Sequence, residues 1–156
     1  MSAASEISDT LIGDVRRYYE QKLRSFGTTS RGVDWKDEAS QWLRFEQLAR
    51  ISGVGETGSL LDFGCGYGAL CGFLADRNPG LAYHGYDIST EMLEAARAAH
   101  PGLPGERWLA RLDEDARFDY LVASGVFNVS LEHSEVEWAA YVEATLRSEE
   151  HTSELQ

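Results

Sequence analysis

The apolar and polar positions of this chain follow two spacings, one helical and one strand-like. Helical spacing at the N-terminus predicts two amphipathic helices, over residues 8–26 and 34–51. Four short apolar runs predict strands, over residues 59–63, 81–86, 107–110 and 119–123. Further helical patterns lie between or after these runs, over residues 69–76, 89–100 and 135–146. Crossover connections through helices pair strands in parallel, so we predict an α/β fold with strand order 3-2-1-4.

Turn and capping residues mark the boundaries of these elements. Gly27 is a stop signal for the first helix. Asp34 is in the expected N-cap position of the second helix, and Asp37 is in the position of the acid in a capping box. We therefore predict a helical extension over residues 1–55, followed by an α/β domain over residues 56–146.

The most informative segment follows the first predicted strand and reads Leu60-Leu-Asp-Phe-Gly-Cys-Gly-Tyr-Gly68. Here an apolar strand ends in the carboxylate of Asp62 and runs into three alternating glycines. Glycines allow a sharp turn and a close approach of the backbone to a ligand. A helix that begins at Ala69 would direct its N–H groups at the same crevice. The segment predicts a nucleotide-type cofactor site that contains Asp62, Gly64, Cys65, Gly66 and Gly68.

Charge narrows the identity of the ligand. The spacing Gly64-x-Gly66-x-x-Ala69 also fits a relaxed dinucleotide motif. However, the Asp62 carboxylate would repel a pyrophosphate and attract a cation. About 20 residues later, Asp87 ends the second strand, where an acid can accept both ribose hydroxyls; its alternative is a cap of the next helix. The two acids together favour an adenosyl cofactor with a cationic tail.

These residues resemble a known family. Residues 60–68 resemble motif I of the class I S-adenosylmethionine-dependent methyltransferases, and Tyr86-Asp87-Ile88-Ser89 is similar to their second motif. Residues 118–124 resemble their fourth strand, and the N-terminal helices are similar to an extension found in a bacterial branch. The resemblance implies a Rossmann-like doubly wound sheet, S-adenosylmethionine as cofactor, and methyl transfer by in-line displacement. No general base is evident, so the sequence does not distinguish O-, N- and C-methylation.

The resemblance also implies roles for single residues. Asp62 would orient the methionine ammonium or cap the following helix, and Ser124 would line the side of the crevice where the methyl group is transferred. Ile88 would pack on the adenine or be a core residue. Asp113 would contact the adenine amino group or lie in a solvated turn. Asn128 could hold the methyl acceptor or be a turn residue.

The helical extension could fold over the cofactor as a lid. Arg44 would then meet the carboxylate of the methionine part, and Trp35 would cover the site. The spacing of Trp35 and Trp42 favours core positions instead.

The composition of the chain restricts the chemical class of the methyl acceptor. The chain has 43% hydrophobic residues and a formal net charge of −12, which argues against nucleic acid as the main substrate. Four basic residues near the N-terminus form either a local basic patch or, as we expect, a solvated helix face: Arg16, Arg17, Lys22 and Arg24. We therefore expect a small-molecule acceptor.

The location of the protein follows from what the sequence lacks. It contains no apolar run of about 18 residues, the length that a membrane helix needs. The N-terminal residues are polar and acidic, unlike a secretory signal. Cys65 and Cys71 are too few for a disulfide framework or a metal cage. We expect a cytoplasmic protein that needs no metal; its oligomeric state stays open.

The C-terminal residues 147–156 resemble the translation of a sequencing adapter, so we expect a non-native tail on a truncated domain. The alternative is an ordinary polar C-terminus. The chain shows signals for four strands, fewer than a complete class I domain contains.

Two other functions stay open. The fold and the glycine spacing also fit an NAD(P)- or nucleotide-binding oxidoreductase domain. The truncation leaves open an inactive cofactor-binding fragment.

Overall fold

The computed structural model describes residues 3–51, 53–113, 115–126, 135 and 139–143. Within these residues, helices and strands alternate as the sequence predicts. The helices are α1 (Ala3–Phe26), α2 (Glu38–Ile51), α3 (Ala69–Ala75) and α4 (Thr90–Ala99). The strands are β1 (Thr57–Phe63), β2 (Gly80–Tyr86), β3 (Trp108–Leu109) and β4 (Tyr120–Ala123). No helix among the described residues has the length and apolarity needed to cross a membrane.

The described strands form one parallel sheet in the order β3-β2-β1-β4. This confirms the predicted order and the Rossmann-like fold class. In this register Asp62 of β1 lies between Gly85 of β2 and Val122 of β4. Because the strands are parallel, the carboxyl ends of β1, β2 and β4 meet at one edge of the sheet. That edge is where open α/β sheets bind their ligands.

The core forms around β1, the central strand. Leu60 and Leu61 point to opposite faces and are both fully buried, which is why this strand is apolar without alternation. Phe73 of α3 packs in the same cluster, with Phe45 of α2 beside it at a ring-centroid distance of 5.6 Å. The helical extension therefore shares the core of the sheet.

The start of the second helix differs from the prediction. Gly27 ends α1 as predicted, with φ +64°, but α2 begins only at Glu38. Its N-cap is Asp37, whose Oδ1 accepts the Ser40 N–H at 2.7 Å. Asp34, the predicted cap, has φ +64° and follows a 3₁₀ turn at Ser30–Val33.

Tertiary contacts explain the position of Asp34. Its carboxylate accepts the Tyr18 hydroxyl at 2.8 Å and lies 2.9 Å from Lys22 Nζ. Both partners belong to α1, so Asp34 holds the connection against that helix. Two contacts of this kind compete with a local capping hydrogen bond.

Some predicted features lie outside the described residues. Residues 135 and 139–143 have helical backbone, within the helix predicted over residues 135–146. Asn128 and the segment 147–156 are not among the described residues.

Candidate functional site

A cavity of about 240 Å³ lies at the carboxyl ends of β1, β2 and β4. The glycine loop after β1 and the ends of β2 and β4 form its floor. Helix α1 covers it with four residues of one face: Ile12, Val15, Arg16 and Tyr19. Those positions have the i, i+3, i+4, i+7 spacing of a single helix face.

The glycine loop is shaped by left-handed backbone. Gly64, Gly66 and Gly68 have φ values of +76°, +56° and +81°, a region that L side chains rarely adopt. A methyl group on each would also meet a different neighbour. It would lie 2.6 Å from Val126 at Gly64, 2.9 Å from Val33 at Gly66, and 2.5 Å from Trp108 at Gly68.

Hydrogen bonds pin this loop to the end of β2. The N–H groups of Gly64 and Cys65 both donate to the Tyr86 carbonyl, at 2.8 and 2.9 Å. The Gly66 N–H donates to Asp87 Oδ2 at 2.9 Å. The loop thus directs these three amides at the protein itself, and they are not available to an anionic ligand.

Asp87 connects two elements through both of its oxygens. Oδ2 accepts the Gly66 N–H, and Oδ1 accepts the Ser89 N–H at 2.9 Å. Burial raises the pKa of Asp87 to about 6, while these two backbone hydrogen bonds lower it and Glu20 raises it. A carboxylate can accept about four hydrogen bonds, so each oxygen retains capacity for a ligand hydroxyl.

Asp62 is a second acid on the same cavity, and it is more deeply buried than Asp87. Its side chain is 3% exposed, and burial raises its pKa to about 7. The Tyr83 hydroxyl donates to Asp62 Oδ2 at 2.6 Å and lowers this pKa, whereas the neighbouring Asp87 raises it. Because Asp87 adds to the cost of ionising Asp62, the site favours a cationic ligand.

Helix α1 is attached on both sides of the cavity. The Tyr19 hydroxyl donates to the Gly125 carbonyl, after β4, at 3.4 Å. The next residue, Glu20, accepts the Ser89 hydroxyl, at the start of α4, at 3.0 Å. Adjacent residues of one helix thus reach opposite walls of the crevice.

The basic residues of α1 each lie beside an acid. The pairs are Arg16–Glu20, Arg17–Asp14, Lys22–Asp34 and Arg24–Glu91. The Arg16–Glu20 distance of 3.9 Å is the longest of those measured, and Arg16 also borders the cavity. This arrangement fits the predicted solvated helix face better than a basic patch.

Most of the predicted site residues line the cavity. They are Asp62, Gly64, Cys65, Gly66, Asp87, Ile88 and Ser124. Gly68 does not line it; its backbone lies against the ring of Trp108 instead. Asp113 does not line it either, since it is exposed and its carbonyl accepts the Ala116 N–H in a turn.

Two polar side chains of the lining differ in their chemistry. Ser124 Oγ is buried at the end of β4 and has no hydrogen-bond partner among the described residues, so it is open to a ligand. The Cys65 thiol donates to the Gly66 carbonyl at 3.4 Å, and burial raises its pKa well above the usual value. A thiol that stays protonated fills space and is no nucleophile.

The extension contributes Trp35, one of the two lid residues that the sequence suggested, but not Arg44. Arg44 is exposed and does not line the cavity, so it is not placed to meet a bound ligand. Trp35 does line the cavity, whereas Trp42 is 37% exposed and packs edge-on against Phe73. The expected core positions of the two tryptophans are thus not observed.

Three further residues at or next to the cavity were not identified from the sequence. Arg16 and Tyr19 share the apolar face of α1 with Ile12 and Val15, so their helical spacing could have identified them. Tyr83 could not be linked to Asp62 without the strand register.

A glycine loop after the first strand, with acids at two adjoining strand ends, defines a nucleotide-cofactor-binding domain of the Rossmann-like type. A family model described as a methyltransferase domain matches residues 61–148. The chain belongs to this family, which confirms the family predicted from the sequence.

Individual relatives agree with this. The chain is 43% identical over 99 residues to the candidate methyltransferase Rv1506c of Mycobacterium tuberculosis (strain H37Rv), covering 62% of this chain and 58% of that protein. It is 42% identical over 78 residues to ribosomal RNA small subunit methyltransferase C of Aeromonas hydrophila, covering 47% of this chain and 23% of that protein. The chain thus spans less than two thirds of the length of these curated relatives.

The fold also has a counterpart among solved structures. The PH0226 protein from Pyrococcus horikoshii OT3 superposes with a TM-score of 0.50 at 23% identity, covering 80% of this chain and 58% of that chain. This likeness concerns the fold alone.

The glycine loop yields a stability prediction with a matched control. Gly68→Ala should lower the free energy of unfolding by about 2–4 kcal/mol, because left-handed strain and a clash with Trp108 add. Gly27→Ala has similar strain at φ +64° but open space, so it should lose only about 1–2 kcal/mol. Urea unfolding followed by circular dichroism measures both. Equal losses would contradict the proposed packing of the loop against Trp108.

Proposed function

We propose that this chain binds S-adenosylmethionine in the cavity beneath α1, as the cofactor for methyl transfer. The observation that carries the proposal is that two carboxylates, the buried Asp62 and the partly buried Asp87, line one cavity at adjoining strand ends. In a low-dielectric site this negative potential favours a ligand with a cationic part. Membership in the methyltransferase domain family supports the same cofactor.

The hydrogen bonding of the loop argues against a dinucleotide. Pyrophosphate binding in this architecture uses loop N–H groups. Here Gly64, Cys65 and Gly66 donate theirs to the end of β2. An NAD(P)-dependent oxidoreductase is therefore the weaker alternative.

The residues suit distinct parts of the cofactor. Asp87 would accept the ribose hydroxyls with its remaining lone pairs, and Ile88 would pack on the adenine. Asp62 would receive the methionine ammonium, while Ser124 would lie on the side of methyl transfer. When bound, the cofactor supplies an activated methyl group on a sulfonium. The protein's contribution is to bind, orient and exclude water.

Helix α1 would act as a lid in this scheme. It covers the cavity with apolar side chains and is held at both walls through Tyr19 and Glu20. Release of these two contacts would open the crevice for exchange of the cofactor. This gives the helical extension over residues 1–55 a function at the site.

Arg16 would recognise the carboxylate of the methionine part, the role that the sequence assigned to Arg44. Among the described residues that line the cavity, Arg16 is the basic one. Its distance of 3.9 Å from Glu20 leaves the guanidinium free for a closer anionic partner.

We infer that the methyl acceptor is a small molecule. The net charge of −12 and the paired cations of α1 leave no open basic stripe for a phosphate backbone in the described part of the chain. RNA is the alternative, because one relative is named as a ribosomal RNA methyltransferase.

Calorimetric titration tests the cofactor. S-adenosylhomocysteine should bind and NAD should not. Asp87→Asn should weaken S-adenosylhomocysteine binding roughly tenfold or more, because hydrogen bonds to a charged group are lost. Asp76→Asn, at the exposed end of α3, is the control and should bind as the wild type does. Tight binding of NAD would refute the assignment.

Substitutions of two neighbouring arginines test the proposed contact of Arg16 with the methionine carboxylate of the cofactor. Arg16→Ala should weaken S-adenosylhomocysteine binding roughly two- to fivefold at low salt, and less at high salt, because the group is half exposed. Arg17→Ala, whose guanidinium pairs with Asp14, should have no effect. 5′-Methylthioadenosine has no methionine carboxylate, so both variants should bind it equally. A loss for this ligand too would show that Arg16 acts elsewhere.

Transfer of a labelled methyl group tests the acceptor. With labelled S-adenosylmethionine, the label should appear in a small-metabolite fraction and not in total RNA. Label in RNA would overturn the proposed acceptor class. Cofactor binding without label in either fraction would favour the cofactor-binding fragment over an enzyme.

A further inference from the structure

We propose that Tyr83 is a positioning residue, whose hydroxyl orients the Asp62 carboxylate and keeps it ionised to receive the cationic group of the cofactor. The role rests on the proposed function. It assigns a specific task to a tyrosine that lies in the middle of β2 and does not itself line the cavity.

The strand register brings the two side chains together. Leu60 pairs with Tyr83, and Asp62 pairs with Gly85, so Tyr83 and Asp62 are diagonal neighbours on one face of the sheet. Gly85, directly opposite Asp62, has no side chain to intervene. The Tyr83 hydroxyl donates to Asp62 Oδ2 at 2.6 Å, which leaves the other carboxylate oxygen for a ligand.

The donor itself is held rigidly. Tyr83 is 4% exposed and packs against Trp108 at a ring-centroid distance of 5.6 Å. Burial raises the pKa of the Tyr83 hydroxyl well above its usual value, so it stays protonated and acts as a donor. A fixed donor restricts the carboxylate to one orientation.

The other groups around Asp62 do not help to keep it ionised. Asp87 faces it from the end of β2, and the thiols of Cys65 and Cys71 face it from the loop and from α3. Arg16 of α1 borders the same cavity, but the pKa of Asp62 responds to burial, Tyr83 and Asp87 and not to this guanidinium. Burial raises the pKa of Asp62 to about 7, so its anionic form is lost as the pH falls through that value. Removal of the Tyr83 hydroxyl would raise this pKa further.

The pH profile of binding tests the role. Tyr83→Phe keeps the ring and its packing but removes the donor. It should bind S-adenosylhomocysteine roughly five- to tenfold more weakly than the wild type at pH 6–7, and within about twofold at pH 9, where Asp62 is ionised in both. Tyr120→Phe, on β4 and outside the cavity lining, is the matched control. Its affinity for S-adenosylhomocysteine relative to the wild type should not change with pH.

A double-mutant cycle and a second ligand isolate the pair. In an Asp62→Asn background, Tyr83→Phe should have no pH-dependent effect on affinity. 5′-Methylthioadenosine lacks the ammonium, so its affinity ratio should be flat with pH. A pH-dependent ratio in either case would overturn the proposal, because the effect would not run through Asp62.

Titration of the ligand-free protein separates this role from the proposed function. NMR of carboxyl-labelled aspartate, assigned with Asp62→Asn, should show a higher midpoint for Asp62 in Tyr83→Phe. Replacement of Tyr83 by 3-fluorotyrosine, a more acidic donor of nearly the same size, should lower the midpoint of Asp62. This replacement tests the role if Tyr83→Phe does not fold. An unchanged midpoint overturns the role of Tyr83 alone. Failure of the wild type to bind at any pH overturns the proposed function, and this role with it.

Discussion

The hydrogen bond from the Gly66 N–H to the Asp87 carboxylate is the interaction on which the site depends. The other carboxylate oxygen of Asp87 accepts the Ser89 N–H. One side chain therefore joins the loop after β1 to the helix after β2. The Tyr86 carbonyl accepts hydrogen bonds from two more amides of the same loop. The shape of the loop and the position of the acid are therefore not independent. A substitution of Asp87 changes the wall of the cavity as well as its charge.

A buried acid and a partly buried acid on one small cavity are costly for a fold in the absence of a ligand. Burial raises the pKa of Asp62 to about 7 and that of Asp87 to about 6, which means that the protein resists their ionisation. Replacement by apolar side chains would remove this cost. Their presence at a ligand-binding edge is understandable if a cation offsets the charge on binding. We infer that the lost stability is balanced by specificity for a cationic ligand.

Local patterns predicted the features that depend on local geometry. The strand order, the glycine loop and both acids at strand ends follow from sequence spacing, and the structure agrees. The prediction for Asp34 was wrong, because contacts with α1 decide its position and a capping pattern does not include them. Tyr83 required the register between β1 and β2. Gly68 looked like a ligand contact, but its missing Cβ makes room for Trp108.

The attachment of α1 connects this helix, the proposed lid, to Asp87, the acid proposed to bind the ribose. Glu20 accepts the Ser89 hydroxyl, and the Ser89 N–H in turn donates to Asp87, so two acids approach each other when α1 is docked. Glu20 indeed raises the pKa of Asp87. A ligand that donates hydroxyl groups to Asp87 favours the ionised acid, which Glu20 disfavours when α1 is docked. Through this contact, binding of the ribose and docking of α1 should therefore oppose each other, and by linkage each weakens the other equally.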